Sequence, residues 1–284
     1  MDANLPELQE WVFPALMRNI HWDTPEEPGR LWLDTPDRKW RCYTRLLPWD
    51  VIPWGQPEAT GFARVIPSVN TANEPIYLLI DFKVDSSLKA LYLVHADLCP
   101  IPGVIDQARA LVLCILNDGL RELVENALSL PAVNRFFWTC PASIRDHHCY
   151  AGGLAQHTVE VATLIVCSRL EAEDMDMALA FALLHDIGKV HAYENGELTD
   201  TALTLGHEGI GLNLIQELLD QFRAVDEVRG NTLLELLNGT WKRTTKARRP
   251  LAIGRVVNAF DQLSCERNLQ RRSKVPFIQN PEVE

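Results

Sequence analysis

Four polar side chains stand where the surrounding sequence is apolar, and their types suit metal binding. His157 lies in GGLAQHTVEVATL and shares a helical face with apolar residues of the next two turns. His185 and Asp186 directly follow the apolar run LAFALL, and Asp261 stands at the edge of an apolar stripe in VVNAFDQL. A single buried histidine is ordinarily a hydrogen-bonded core residue. Two unpaired buried carboxylates, however, would each cost several kcal/mol.

Either each carboxylate is paired with its own cation, or all four side chains bind one metal ion. Imidazole nitrogens together with carboxylate oxygens suit iron, manganese or zinc. Adjacent helical residues point about 100° apart, but His185 and Asp186 are expected at a helix end, where Gly188 lets the chain turn away and both can bend toward one ion. Lys189, one turn beyond, is predicted either to face an anion bound at this site or to interact with the helix dipole as a cationic cap.

Four motifs follow one another in the order HHCYAGGLAQHT, LLHDIGK, LGHEGIG and AFDQLS. With them the sequence resembles the HD-domain superfamily of metal-dependent phosphohydrolases over roughly residues 120–265. The first motif is most similar to that of the YhaM-type 3′–5′ exoribonucleases, and a similar HD block occurs in conjugative relaxases. In the exoribonucleases a small OB-like barrel precedes the HD domain, so the resemblance implies the same order here.

The resemblance also implies roles for individual residues. The four residues described first would bind a divalent metal (manganese, iron, nickel or zinc), with one ion per chain. Lys189 would contact a substrate phosphate, and His207 would join a second metal site or bind the scissile phosphate. His147 and His148 would line the active site, with His148 as a proton donor or phosphate contact. The alternative for this histidine pair is a capping role in a polar loop.

One position departs from the family pattern. Two-metal members carry a further histidine between the positions of His207 and Asp261, but here Asn238 and Gly239 stand in its place and no histidine follows His207. Four explanations remain open. One metal suffices, Asn238 lines the site as a weak ligand, the second metal position fills only with substrate, or hydrolysis has been lost.

The elements that must position these residues differ between the two ends of the chain. Residues 1–20 predict an amphipathic helix, and 28–98 contain five strand-like segments separated by turn residues: RLWLD, KWRCYTRLL, TGFARVI, IYLLIDF and ALYLVHA. Beyond residue 103 apolar residues recur at helical spacing. We therefore expect a mainly α chain, with a β-rich, OB-like domain over 1–100 and a helical HD domain over 101–284.

The net charge of −11 is unevenly distributed. Residues 241–274 hold ten lysines and arginines but two acids, whereas the remainder holds 17 basic and 36 acidic residues. Such a basic block either binds a phosphate-bearing partner or forms a solvated helix face. The side chains predicted to contact a nucleic-acid backbone are Lys242, Arg243, Lys246, Arg248 and Arg249.

The cysteine content and the apolar segments of the sequence indicate the cellular compartment. Seven scattered cysteines without a CxxC motif predict reduced, mostly buried thiols. No apolar run reaches the roughly 18 residues of a membrane helix, and the first residues lack the pattern of a secretory signal. We therefore expect a cytoplasmic protein that does not associate with a membrane.

Three functions are compatible with these observations. The leading hypothesis is a metal-dependent phosphodiesterase acting as a 3′–5′ exonuclease on single-stranded RNA or DNA. The second keeps the enzyme class but takes nucleotides or cyclic dinucleotides as substrates. The third is a non-catalytic, metal-stabilised accessory module linked to DNA processing or conjugation, and the missing histidine motivates it.

Overall fold

The computed structural model describes four stretches of the chain: residues 9–24, 27–47, 56–242 and 251–274, the last without the side chains of 273 and 274. The chain divides into two compact units: Met1–Leu98 with Leu128–Asn134, and Cys99–Ala127 with Arg135–Glu284. Among the described helices, none is long and apolar enough to cross a membrane.

The first unit contains a closed barrel of five strands. They are β1 (Trp11–His21), β2 (Gly29–Thr35), β3 (Arg38–Thr44), β4 (Glu58–Val69) and β5 (Pro75–Val84). The strand order is β1-β2-β3-β5-β4, and all pairs are antiparallel except β3 with β5. Successive side chains of a strand point to opposite faces, so Leu31, Leu33 and Cys42 are buried in the barrel core while Trp32 is partly exposed.

The prediction of a helix over residues 1–20 is wrong where the structure describes the chain. Residues from Trp11 onward form strand β1, which pairs with β2 and β4, and 1–8 lie outside the described residues. The run WVFPALM is apolar at nearly every position, so it fits a helical and a strand period equally well. The inward position of Ala15 and Met17 depends on pairing with strands distant in sequence.

The prediction of a strand at ALYLVHA is also wrong. This segment begins with a short helix, α1 (Ala90–Leu93). Its buried residues, Ala90, Leu91, Leu93 and Val94, follow the spacing of a helix face rather than the alternation of a strand.

The chain beyond the barrel is helical, as expected. The helices are α2 (Val104–Leu113), α3 (Asp118–Ser129), α4 (Pro131–Phe137), α5 (Gly153–Cys167), α6 (Ala172–Leu184), α7 (Asp200–Val225), α8 (Glu227–Leu237) and α9 (Ala252–Lys274). A 3-10 turn (Ile187–His191) and a small hairpin of β6 (Tyr193–Glu194) and β7 (Glu197–Leu198) connect α6 to α7.

Helix α6 is buried within the second unit. Every residue from Asp176 to Leu184 is buried, and α5, α8 and α9 pack against the helix. The small side chains of Ala178, Ala180 and Ala182 let these neighbours approach closely. Asp176 is satisfied inside the protein, because its carboxylate accepts hydrogen bonds from two backbone N–H groups of the turn before α3. The helix thus forms an apolar support that ends at His185.

Two glycines determine how α7 meets the end of α6. Gly206 has φ 68° and ψ 167°, a conformation that glycine alone adopts readily, and it interrupts α7 directly before His207. A Cβ atom on Gly188 would lie 2.0 Å from the carbonyl oxygen of His207 and 2.4 Å from the nitrogen of Gly211. Gly188 therefore permits close contact between two backbones, which is a different role from the chain turn that the sequence suggested.

Candidate metal centre

Three helices bring the four predicted metal ligands together. His157 comes from α5, His185 and Asp186 follow α6, and Asp261 comes from α9. The Nε2 atom of His157 lies 3.0 Å from Oδ1 of Asp261 and 3.5 Å from Oδ2 of Asp186. The Nε2 atom of His185 lies 3.4 Å from the same oxygen of Asp186. The side chains of His157 and Asp186 are almost completely buried.

The ring proton of His185 is held by the backbone of α6. Its Nδ1 lies 2.8 Å from the carbonyl oxygen of Ala182, and a carbonyl oxygen only accepts. Nδ1 therefore carries the proton, and Nε2 of the neutral ring carries the lone pair. This Nε2 is buried and has no hydrogen-bond partner among the described residues.

A chain of two hydrogen bonds likewise places the ring proton of His157 on Nδ1. Its Nδ1 lies 3.1 Å from Oγ of Ser264, which in turn donates its own proton to Oε2 of Glu160 at 2.8 Å. The serine oxygen must therefore accept from His157, so Nδ1 carries the ring proton. Burial lowers the pKa of His157, although the neighbouring Asp261 and Asp186 carboxylates oppose this effect. In the neutral ring Nε2 then carries the lone pair. This buried atom lies 3.0 Å from Oδ1 of Asp261 and has no hydrogen-bond partner among the described residues.

These donors fit a divalent metal ion. His157, His185 and Asp261 each place one ligand atom within 4.8 Å of the others. Buried imidazole nitrogens beside carboxylate oxygens, each ring fixed by a hydrogen bond on its other nitrogen, are typical of protein metal sites. Without a metal ion, the same arrangement leaves imidazole lone pairs facing carboxylate oxygens.

Asp186 is the most connected residue of the site. Its Oδ2 lies 2.7 Å from Nζ of Lys189, and its Oδ1 lies 3.2 Å from Nε2 of His207. Burial alone would raise the pKa of Asp186, but the Lys189 charge, together with the hydrogen bond from His207, holds it well below its usual range. Burial would likewise lower the pKa of Lys189, and the Asp186 carboxylate outweighs this effect and raises it. The pair is therefore ionised.

The paired histidines occupy different environments. His147 lines the cavity described next, and burial, followed by the neighbouring His157, lowers its pKa to about 4. His148 is fully buried, lies outside the cavity lining, and directs Nε2 toward Oε2 of Glu160 at 3.2 Å. The structure therefore places His147 where a substrate can reach it and His148 where it supports its neighbours, which reverses the emphasis of the sequence prediction.

A cavity of about 210 Å³ opens over these residues. Its polar lining includes Asp186, Lys189, His207 and Lys242. Its apolar lining comprises Phe181, Leu236, Leu237, Trp241 and Val257.

Asn238 and the basic residues after Trp241 are the other predicted site residues. Asn238 does not line the cavity. It is exposed, and its side-chain oxygen accepts hydrogen bonds from the backbone N–H and the hydroxyl of Thr240. The oxygen is thus committed to a local turn, and Gly239 lines the cavity instead. The predicted backbone-binding residues other than Lys242 lie outside the described residues: Arg243, Lys246, Arg248 and Arg249.

Sequence reasoning missed three residues that border the site: Glu160, Ser264 and Cys265. Glu160 follows His157 by three positions, and Ser264 and Cys265 follow Asp261 by three and four. This spacing puts each of them on the same helix face as a predicted ligand, and it could have identified them.

All seven cysteines are free thiols. The expectation that most of them are buried is wrong, because Cys42 and Cys99 are buried and the other five are partly or fully exposed.

Comparison with known proteins gives one match. The model of the HD domain family matches residues 154–265, a range that contains all four predicted ligands but not His147 and His148. Searches of curated proteins and of solved structures find no match to this chain. Residues 154–265 are therefore similar to the HD domain, a domain found in metal-dependent hydrolases.

Proposed function

We propose that this chain is a metal-dependent phosphodiesterase that shortens single-stranded RNA or DNA from the 3′ end. One observation carries the proposal. Two buried imidazole nitrogens without hydrogen-bond partners among the described residues converge with two carboxylates beside a cavity lined by Lys189 and Lys242, in the part of the chain that matches the HD domain.

One divalent ion per chain (manganese, iron, nickel or zinc) would be held by four residues: His157, His185, Asp186 and Asp261. When bound, such an ion polarises a phosphoryl oxygen and lowers the pKa of water toward neutrality. Lys189 supplies a fixed positive charge in the cavity, where it can stabilise the charge that develops on a phosphate. Asp186 holds that ammonium in place, and His207 contributes a further donor within reach of the same carboxylate.

The polymeric substrate is supported by charge. Lys242 lines the cavity, and its Nζ lies 5.5 Å from the centre of the Trp241 ring. In sequence it begins the basic block of residues 241–274, which can neutralise several phosphates of one strand. The N-terminal barrel supports the same reading, since five strands with a single parallel pair, β3 with β5, are compatible with an OB-like barrel.

The apolar lining residues of the cavity favour a second candidate, a phosphohydrolase for nucleotides or cyclic dinucleotides. Trp241 and Phe181 could contact a base while Lys189 contacts a phosphate. Salt separates the two candidates. A polymer-binding enzyme loses affinity steeply as salt rises, whereas a mononucleotide contacts few phosphates and is affected much less.

The test is cleavage of 5′-labelled single-stranded RNA and DNA by metal-analysed protein with added manganese. We expect a ladder that shortens from the 3′ end, and a loss of at least about 100-fold in Asp261→Asn, because a ligand matters at least as much as the outer partners of a site. The control is Asp220→Asn, which removes an exposed carboxylate on α7. Cleavage that persists in Asp261→Asn contradicts the assignment. Turnover of nucleotides alone supports the second candidate, and bound metal without turnover supports a non-catalytic accessory module.

A further inference from the structure

A cysteine stands beside the candidate metal centre. Cys265 lies one turn after Asp261 on α9, and its Sγ is 3.7 Å from Oδ1 of that carboxylate. It is half-buried and lines the same cavity as His185 and Lys189. None of the roles proposed above uses this thiol.

Cys265 belongs to a second set of possible ligands that overlaps the first. His147, His157 and Cys265 each place one ligand atom within 4.8 Å of the others. His157 also belongs to the set with His185 and Asp261, so the two sets share this residue. The second set offers nitrogen and sulfur and contains no carboxylate.

Hydrogen bonds also leave His147 able to act as a ligand. Burial raises the pKa of Glu160, but hydrogen bonds from His148 and Ser264 outweigh it and lower the pKa to about 2, so this carboxylate is ionised and accepts a proton from Nε2 of His148. In the neutral form of His148, Nδ1 is then the acceptor. The Nδ1 atom of His147 lies 3.3 Å from it and must donate. The lone pair of His147 is therefore on Nε2.

We propose that the ion bound by His157 also takes the sulfur of Cys265, with His147 as an accessory nitrogen ligand, and that the site consequently selects zinc over manganese and magnesium. This inference rests on the metal centre proposed above. Thiolate sulfur favours zinc, whereas carboxylate and water favour magnesium and manganese. On binding, the thiol proton is released to solvent and the sulfur coordinates as thiolate.

The test uses cobalt(II) as a spectroscopic substitute for zinc in the reduced, full-length chain. We expect a sulfur-to-cobalt charge-transfer band in the near ultraviolet together with the visible ligand-field bands. Cys265→Ser should lose the first band and keep the second. The matched control is Cys167→Ser, which removes an exposed thiol at the end of α5 and should leave both bands unchanged.

Competition titrations give the second readout. Cys265→Ser should weaken zinc binding by at least about tenfold, since even outer-shell partners contribute about 10–100-fold, and should leave manganese binding nearly unchanged. His147→Gln should weaken zinc binding and retain the charge-transfer band.

Three results would overturn the inference. Ligand-field bands without a charge-transfer band in the wild-type chain, or the same charge-transfer band in Cys265→Ser, would remove Cys265 from the site and leave the four-residue metal centre standing. Failure of the wild-type chain to bind cobalt at all would overturn the metal centre itself, and the proposed phosphodiesterase with it.

Discussion

The Nδ1 atom of His157 lies 3.1 Å from Oγ of Ser264, and this contact decides which nitrogen of the ring carries the proton. Ser264 can accept here because its own proton is directed to Glu160. Glu160 therefore acts on His157 through a hydroxyl, although the carboxylate itself does not touch the ring. The free lone pair on Nε2 of His157 thus depends on Glu160 of α5 and Ser264 of α9.

Ser264→Ala should weaken metal binding by about 10–100-fold, as the loss of outer-shell partners typically does. Without the hydroxyl, the ring can take the other tautomer and point a proton at the site. Isothermal titration with zinc measures the effect, and Ser168→Ala is the control, because that serine bonds to the carbonyl of Ile165 at the end of α5. Equal zinc affinity in Ser264→Ala and the wild-type chain would show that the hydroxyl does not fix the tautomer.

Asp186 and Lys189 provide a second prediction, on stability without metal. Asp186→Asn leaves a buried ammonium without its partner and should lower the free energy of unfolding by about 3–5 kcal/mol. Lys189→Met should cost less, because His207 still faces the carboxylate. The double variant should recover part of the loss, since it buries no unpaired charge. Urea unfolding in the presence of chelator measures all four proteins, and strictly additive losses would mean that the pair does not interact.

The four candidate ligands stand out in the sequence because polar residues interrupt apolar helical patterns at His157, His185, Asp186 and Asp261. The roles of their partners could not be predicted, although spacing along the helix marks these partners as neighbours of the candidate ligands. Ser264 and Glu160 are polar residues at positions that also suit a solvated helix face, and their role depends on α5 and α9 packing side by side. Likewise, no local pattern indicates that Lys189 turns back onto Asp186 rather than toward solvent.

The barrel illustrates the same limit. The strands β2 to β5 follow from alternation and turn residues, whereas β1 has a continuously apolar sequence and takes its conformation from pairing with β2 and β4. Secondary structure that depends on distant partners is not visible in a short window of sequence.

Glu160 gives a prediction on pH. Its pKa is lowered to about 2 in the folded chain, against about 4.3 for an unperturbed glutamate. The stabilisation by this carboxylate is therefore fully present above about pH 5 and is lost as the pH falls toward 2, with about 2 kcal/mol lost between pH 6 and pH 3. Glu160→Gln should lack this dependence, so the stability gap between it and the wild-type chain should narrow on acidification.

Urea unfolding at pH 6 and at pH 3, both with chelator, measures that gap. Glu217→Gln is the control, since Glu217 is an exposed glutamate on α7. A gap of the same size at both pH values would show that Glu160 is not held ionised by its hydrogen bonds.

Gly188→Ala gives the last prediction, on the position of His207. The added Cβ would lie 2.0 Å from the carbonyl oxygen of His207, and because that atom belongs to a helix backbone it cannot move alone. We expect a loss of about 3 kcal/mol in unfolding free energy, at the upper end of overpacking costs, together with weaker metal binding as α7 is displaced from Asp186. Gly196→Ala is the control: its φ of 80° is unfavourable for alanine, but no atom lies within 4 Å, so it should cost about 1 kcal/mol and leave metal affinity unchanged. Equal effects of the two substitutions on stability and on metal affinity would mean that α7 can shift without disturbing the site.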